Sequence, residues 1–134
     1  MQWEREQFII SDDPTRIDLD VVCRLLASTY WAAARPRETI RRSIENSIAL
    51  GLYEASTQIG FARLVTDRAT FAWIADVVID PPYRGRGLGK WLAECAVSHP
   101  AIQGTRQLLL TRDAHTLYER FGFQREECLT RKLT

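Results

Sequence analysis

Between Phe71 and Trp91 the chain reads Phe-Ala-Trp-Ile-Ala-Asp-Val-Val-Ile-Asp-Pro-Pro-Tyr-Arg-Gly-Arg-Gly-Leu-Gly-Lys-Trp. The pattern predicts an apolar strand, a proline stop, a tight turn with glycines at 85, 87 and 89, and an amphipathic helix. Glycines at alternating positions remove the Cβ atoms that would hold a ligand off the backbone. The exposed amides, with the positive end of the helix dipole behind them, suit a phosphate group. A plain surface turn needs one or two glycines, not three. A nucleotide P-loop fits poorly, because Trp91 stands where a Mg²⁺-binding Ser or Thr belongs. A dinucleotide-binding oxidoreductase fits less well too. Asp80-Pro-Pro-Tyr83 separates the strand from the glycines, and only one parallel crossover is expected.

Few other residues have the types that carry chemistry. Asp76 stands mid-strand between Ala75 and Val77, facing away from Val77. A carboxylate there is either paired or poised as a base. His115 is a second candidate base, or a helix cap. Cys23, Cys95 and Cys128 are widely spaced among apolar neighbours, with no CxxC, and His99 and His115 form no ligand pair. Neither a disulfide framework nor a metal site is expected.

The elements that must position these residues belong to one domain, since 134 residues suffice for one core and not two. Net charge is +1, so no global field points to nucleic acid or an anionic membrane. No apolar run reaches the length of a bilayer span, and the polar first twenty residues contain no signal peptide. A reduced cytoplasm is the expected compartment.

Gln7–Ile10 reads as a first strand, and Asp18 as the cap of a helix carrying Leu19, Val22, Leu25 and Leu26 at helical spacing. Pro36 opens a second helix at its first turn, with Ile40 and Ile44 inward. Ile48–Glu54 and Ile59–Val65 form a hairpin around Ala55-Ser-Thr-Gln58, and Thr70–Ile79 is the next strand. Leu88, Trp91, Leu92, Cys95 and Ala96 share one face of the following helix. Gln107–Leu110 is a short strand, His115–Arg120 a short helix ended by Gly122, and Phe123–Leu133 a last strand. The order β-α-α-β-β-β-α-β-α-β gives an α/β (α+β) mixed sheet, antiparallel first and parallel at the 71–79 to 107–110 crossover.

The run Val77-Val-Ile-Asp-Pro-Pro-Tyr-Arg-Gly-Arg-Gly-Leu-Gly-Lys90 closely resembles the acetyl-CoA-binding motif of the GNAT N-acetyltransferases, Gln/Arg-x-x-Gly-x-Gly/Ala after a strand. Asp113-Ala-His-Thr-Leu-Tyr-Glu-Arg-Phe-Gly-Phe123 resembles the family's second motif, a short helix with a tyrosine closing in Gly-Phe. The two stand in the family's order and together span residues 77–123, about a third of the chain.

The resemblance implies a GNAT-like acyl-CoA N-acyltransferase fold and acetyl-CoA as co-substrate, with no metal. It implies that the backbone of Arg84, Gly85, Arg86, Gly87, Leu88, Gly89 and Lys90 holds the CoA diphosphate. The side chains of Arg84, Arg86 and Lys90 lie where they can meet phosphate charge. The pantetheine arm would pair with the main chain of Val77, Val78 and Ile79. Amide formation from a thioester must remove an ammonium proton, stabilise an oxyanion and receive a thiolate. Tyr118 fits the thiolate role, as a phenol protonated at neutral pH. Asp76, His115 or a water chain remain open as the base. Asp113 stands where many relatives carry asparagine, and a carboxylate is a poor neighbour for phosphate. Tyr30, Trp31 and Tyr53, with Trp73 behind, are the candidates for the acceptor pocket. The acceptor would be a small-molecule or protein amine, with no nucleic-acid or membrane partner, and pairing into a homodimer is open. The alternative from another class is a non-catalytic acyl-CoA- or nucleotide-binding sensor domain.

Overall fold

The computed structural model of the chain describes residues 1–132. Six strands form one mixed sheet in sequence order: β1 (Gln2–Arg5), β2 (Phe8–Ser11), β3 (Ile48–Glu54), β4 (Thr57–Thr66), β5 (Phe71–Ile79) and β6 (Arg106–Leu108). Pairing is antiparallel through β5 and parallel from β5 to β6. The helices are α1 (Leu19–Ala27), α2 (Arg37–Glu45), α3 (Leu88–Val97) and α4 (His115–Glu119). None of the described helices is long and apolar enough to cross a membrane.

The sheet is sandwiched. On one face Leu88, Trp91, Leu92, Cys95 and Ala96 of α3 pack on Leu50, Leu52, Leu64 and Ile74. On the other, Val22, Leu25 and Leu26 of α1 and Ile40 of α2 pack on Ala49, Phe61 and Val78. These are the apolar stripes that the helical period predicts. Asp18 caps α1 as expected, its Oδ1 accepting from the amides of Asp20 and Val21 at 3.1 and 3.3 Å. Pro36 is not the first helical residue of α2. Its ψ of 150° keeps it extended, so it stands just before the helix.

Both chain ends depart from the sequence reading. In place of a single strand at Gln7–Ile10 there is a hairpin, β1 with β2, turning at Glu6 with φ 53°. β1 is an edge strand of mostly polar, exposed residues, so it carries no hydrophobic period to read. The expected strand Phe123–Leu133 does not form over residues 123–132, and Leu133 lies outside the described residues. Phe123 packs edge-on against Tyr118, but the polar segment after it has little to bury, and Leu129 is 99% exposed.

Gly51 of β3 is set by its neighbour. The Tyr53 ring folds back over it, and a Cβ on Gly51 would lie 2.2 Å from the Tyr53 hydroxyl oxygen. Gly51→Ala should therefore destabilise the domain by about 1–3 kcal/mol through overpacking. A urea melt would show this, and adding Tyr53→Leu should recover part of the loss.

Candidate functional site

The site grows out of two irregularities in β5. The first is at its parallel edge. β6 pairs only with Phe71, Ala72 and Trp73, so beyond Trp73 that edge has no strand beside it among the described residues. The second is a bulge. Gly60 and Phe61 pair with Ile79 and Val78, but Arg63 pairs with Ala75, leaving Ala62 opposite both Asp76 and Val77. Asp76 takes φ 56° there, a left-handed conformation rare outside glycine, at the kind of place where bulges re-aim side chains.

Immediately after β5 comes a 3₁₀ turn, Pro81–Tyr83, and then the glycine turn. The Arg84 amide is consumed here, donating to the Pro81 carbonyl at 3.2 Å, which removes it from the expected cradle. The next six amides, Gly85 to Lys90, meet no acceptor among the described residues, and the first helical bond of α3 is Trp91 to Gly87 at 3.1 Å. Gly85 and Gly87 have φ of 80° and 77°, and a Cβ on either would meet nothing within 4 Å. The turn is thus a row of unpaired donors opening into free space at a helix N-terminus, which suits an anion. Leu88 contributes its amide only, for its side chain is buried against the sheet. Arg84 Nε donates to the Ile79 carbonyl at 3.0 Å, the Arg86 guanidinium lies 5.3 Å over the Tyr83 ring, and Lys90 is exposed.

A groove of about 370 Å³ runs between the open edge of β5 and the turn after α1. Val77, Val78, Ile79 and Arg84 form one wall; Ser28, Thr29, Tyr30 and Trp31 form the other; Asp113 also lines it. Tyr30 and Trp31 pack edge-to-face with ring centres 5.0 Å apart. One face of Tyr30 is already covered by the Arg112 guanidinium, 3.7 Å from the ring centre.

Three expected residues do not join this groove. Tyr53 is 2% exposed, and its hydroxyl donates to the Arg16 carbonyl at 2.8 Å; it is a structural residue. Trp73 pairs in register with Leu108 of β6. Asp76 is 6% exposed and does not line the groove. Its Oδ1 accepts from Trp31 Nε1 at 3.0 Å, and its Oδ2 from Arg35 Nη1 and Arg63 Nε at 2.8 and 3.0 Å. Both oxygens are thus engaged by protein donors, away from the groove lining. His115 does not cap α4, whose cap position is Ala114.

Tyr118 lies buried in α4 and is not among the residues that line the groove. Its hydroxyl has no hydrogen-bond partner among the described residues. Burial, and secondarily the Asp113 carboxylate, push its pKa up to about 12. Burial likewise pushes the Cys95 thiol up to about 12, with Glu94 adding to the effect. No group of three or more His, Cys, Asp or Glu suited to a metal exists among the described residues.

Several positioning contacts were invisible to local reading. Arg24 of α1 grips Asp80 with two bonds of 3.1 and 3.2 Å, bracing the helix against the start of the glycine turn. Arg35 and Arg63 converge on Asp76 from separate elements. These partners are 13 to 56 residues apart, and no spacing rule could have found them.

Comparison with known proteins gives a consistent picture. Residues 45–125 match the family described as the acetyltransferase (GNAT) domain. A candidate acetyltransferase of Gibberella zeae is 29% identical over 87% of this chain and 78% of its own length. An uncharacterised N-acetyltransferase, ycf52, of Pyropia yezoensis is 34% identical over 80% of this chain and 65% of its own, so this chain spans less than two thirds of that relative. A crystal structure of a candidate acetyltransferase belonging to the GNAT family from Xanthomonas campestris pv. campestris superposes with TM-score 0.89 at 34% identity, over 97% of this chain and 96% of that one.

Proposed function

The chain belongs to the GNAT family of acetyltransferases, and on that premise we propose that it moves an acetyl group from acetyl-CoA to a primary amine by direct attack in a ternary complex. The observation that carries this reading is the row of unpaired amides from Gly85 to Lys90, set beside the open edge of β5. When bound, acetyl-CoA supplies the acyl thioester. Gly85–Lys90 donate to its diphosphate through the backbone. Arg84, Arg86 and Lys90 add positive potential at the rim rather than fixed bonds. Val77, Val78 and Ile79 offer their free main-chain edge to the amides of the pantetheine arm, as a sheet edge accepts an added strand. An amide near Val78 or Ile79 stabilises negative charge on the thioester oxygen.

Tyr118 donates a hydrogen bond to the departing sulfur. Its pKa of about 12 lies well above the ~8.5 of a thiol, so it steadies the thiolate without giving up its proton. Tyr30 and Trp31 form the acceptor side, and the Asp113 carboxylate in the same groove favours an incoming cation. Asp76 does not line the groove, and we assign proton removal to water there. Cys95 is unsuited to carry the acyl group, since its thiol is buried and its pKa is high, which supports direct attack.

The test is a thermal shift with CoA, followed by thiol release from acetyl-CoA across an amine library. CoA at about a hundred times its Kd should add about 2.7 kcal/mol of stability and raise Tm by roughly 10 °C. Thiol release should depend on the amine. Absence of any CoA-induced shift would remove the basis of the reading.

A further inference from the structure

Asp76 has no part in the mechanism above, yet it is the one buried carboxylate among the described residues. A buried carboxylate persists only where donors satisfy it. Here the donors are two guanidinium groups and an indole N–H, and Arg63 is itself tied on by Nη1 to Ser47 Oγ at 3.1 Å. Two of the three donors, Trp31 and Arg35, come from the turn segment between α1 and α2. That segment has no strand or regular helix of its own. Its near end is held by Thr29, whose hydroxyl donates to the Leu26 carbonyl at 2.7 Å and accepts from the Ala32 amide at 3.1 Å. Its far end is held by Asp76. Trp31 is 42% exposed and forms part of the groove wall opposite Val77–Ile79, so what orients its indole shapes the groove. The bulge explains how one residue reaches so far. The left-handed turn at Asp76 re-aims the carboxylate toward the α1–α2 side while Val77 and Ile79 keep to the α3 side.

We infer that Asp76 is a positioning residue: it pins Trp31 and Arg35 across the open end of β5 and thereby sets how tightly the amine substrate is held. The inference rests on the acetyl-transfer reading of the groove. Asp76→Asn and Trp31→Phe should each raise the KM for the amine about tenfold, the scale of one well-placed hydrogen bond. Both should leave kcat within about threefold and CoA affinity within about twofold. The double variant should be no worse than the worse single variant, because both break the same link.

A structural readout needs no turnover. Amide hydrogen exchange over residues 29–35 should accelerate about tenfold or more in Asp76→Asn and leave the α3 amides unchanged. Unchanged protection of 29–35 overturns the pin even if the protein proves not to transfer acetyl groups. With turnover in hand, a kcat loss of about a hundredfold in Asp76→Asn, with the rising limb of the pH profile removed and Trp31→Phe silent, would make Asp76 the base and overturn the inference. Should Asp76→Asn fold poorly, hydrogen exchange of Trp31→Phe decides instead: the indole is 42% exposed, so the variant should fold, and unchanged protection of 29–35 overturns the proposal.

Discussion

Gly87→Glu is expected to raise the Kd for CoA by at least about a hundredfold, with the free protein still folded. Two physical effects are combined in this variant, and they can be separated. Gly87 sits at φ 77°, ψ 6°, so any Cβ costs about 1–2 kcal/mol in backbone strain. That cost falls on stability, not on binding. The space around the added atoms is empty, so no clash with the protein arises. What the glutamate brings is a carboxylate into the region where six amides wait for an anion, and it competes with the diphosphate by charge and by volume. Gly87→Ala supplies the control: the same strain, no charge, and a loss of CoA affinity below about tenfold. Calorimetry with CoA measures the first effect and a denaturant melt the second. If the glutamate variant binds CoA as the parent does, the glycine turn is not the diphosphate site.

Tyr118→Phe should lower kcat by about a hundredfold, the lower end of what a positioned proton-bearing group contributes. CoA affinity and stability should hardly change. The phenylalanine keeps the edge-to-face contact with Phe123, at 5.8 Å between ring centres. No described residue loses a hydrogen-bond partner when the hydroxyl goes, so no buried group is orphaned. The pH dependence adds a second check. Burial raises the phenol to about 12, so Tyr118 keeps its proton through the neutral range and up to about pH 10. It therefore contributes no limb between pH 6 and 10. The variant's profile should have the parent's shape, displaced downward throughout. A limb that disappears with the hydroxyl would mean that Tyr118 titrates in that range and acts as an acid or base. Turnover indifferent to the substitution would transfer the thiolate role elsewhere, and a parent protein that binds CoA without turnover would be the sensor.

The distribution of what was and was not legible follows the range of the forces involved. β5, the Asp80-Pro-Pro stop, the glycine turn and α3 are consecutive, and each is set by local rules: apolar residues in a run, missing amide hydrogens, missing Cβ atoms, a 3.6-residue period. Hence the amide row and the helix behind it could be placed from about twenty residues of sequence. The same holds for the β3–β4 hairpin and for the Asp18 cap of α1. Where the local signal was polar, the reading failed. β1 is a strand because β2 offers an edge to pair with, not because Gln2–Arg5 has a strand pattern. Residues 124–132 lack apolar side chains with a place to go, and they form no strand.

The role of Asp76 lay wholly outside local rules. From the sequence it is one carboxylate in an apolar strand, equally suited to base or anchor. Its neighbours in space are Trp31 and Arg35, 45 and 41 residues earlier in the chain, and the bulge that turns it toward them arises from a one-residue mismatch with β4. Tyr53 is the same case in reverse: an aromatic assigned to the acceptor pocket, drawn instead across Gly51 to the Arg16 carbonyl. The chain by itself therefore determined the glycine turn with its row of free amides and the family, because backbone amides and absent side chains act within a few residues of one another. Only the tertiary structure decided which side chains face the groove and which merely hold its walls, because a buried charge is placed by partners that the fold, not the spacing, brings within 3 Å.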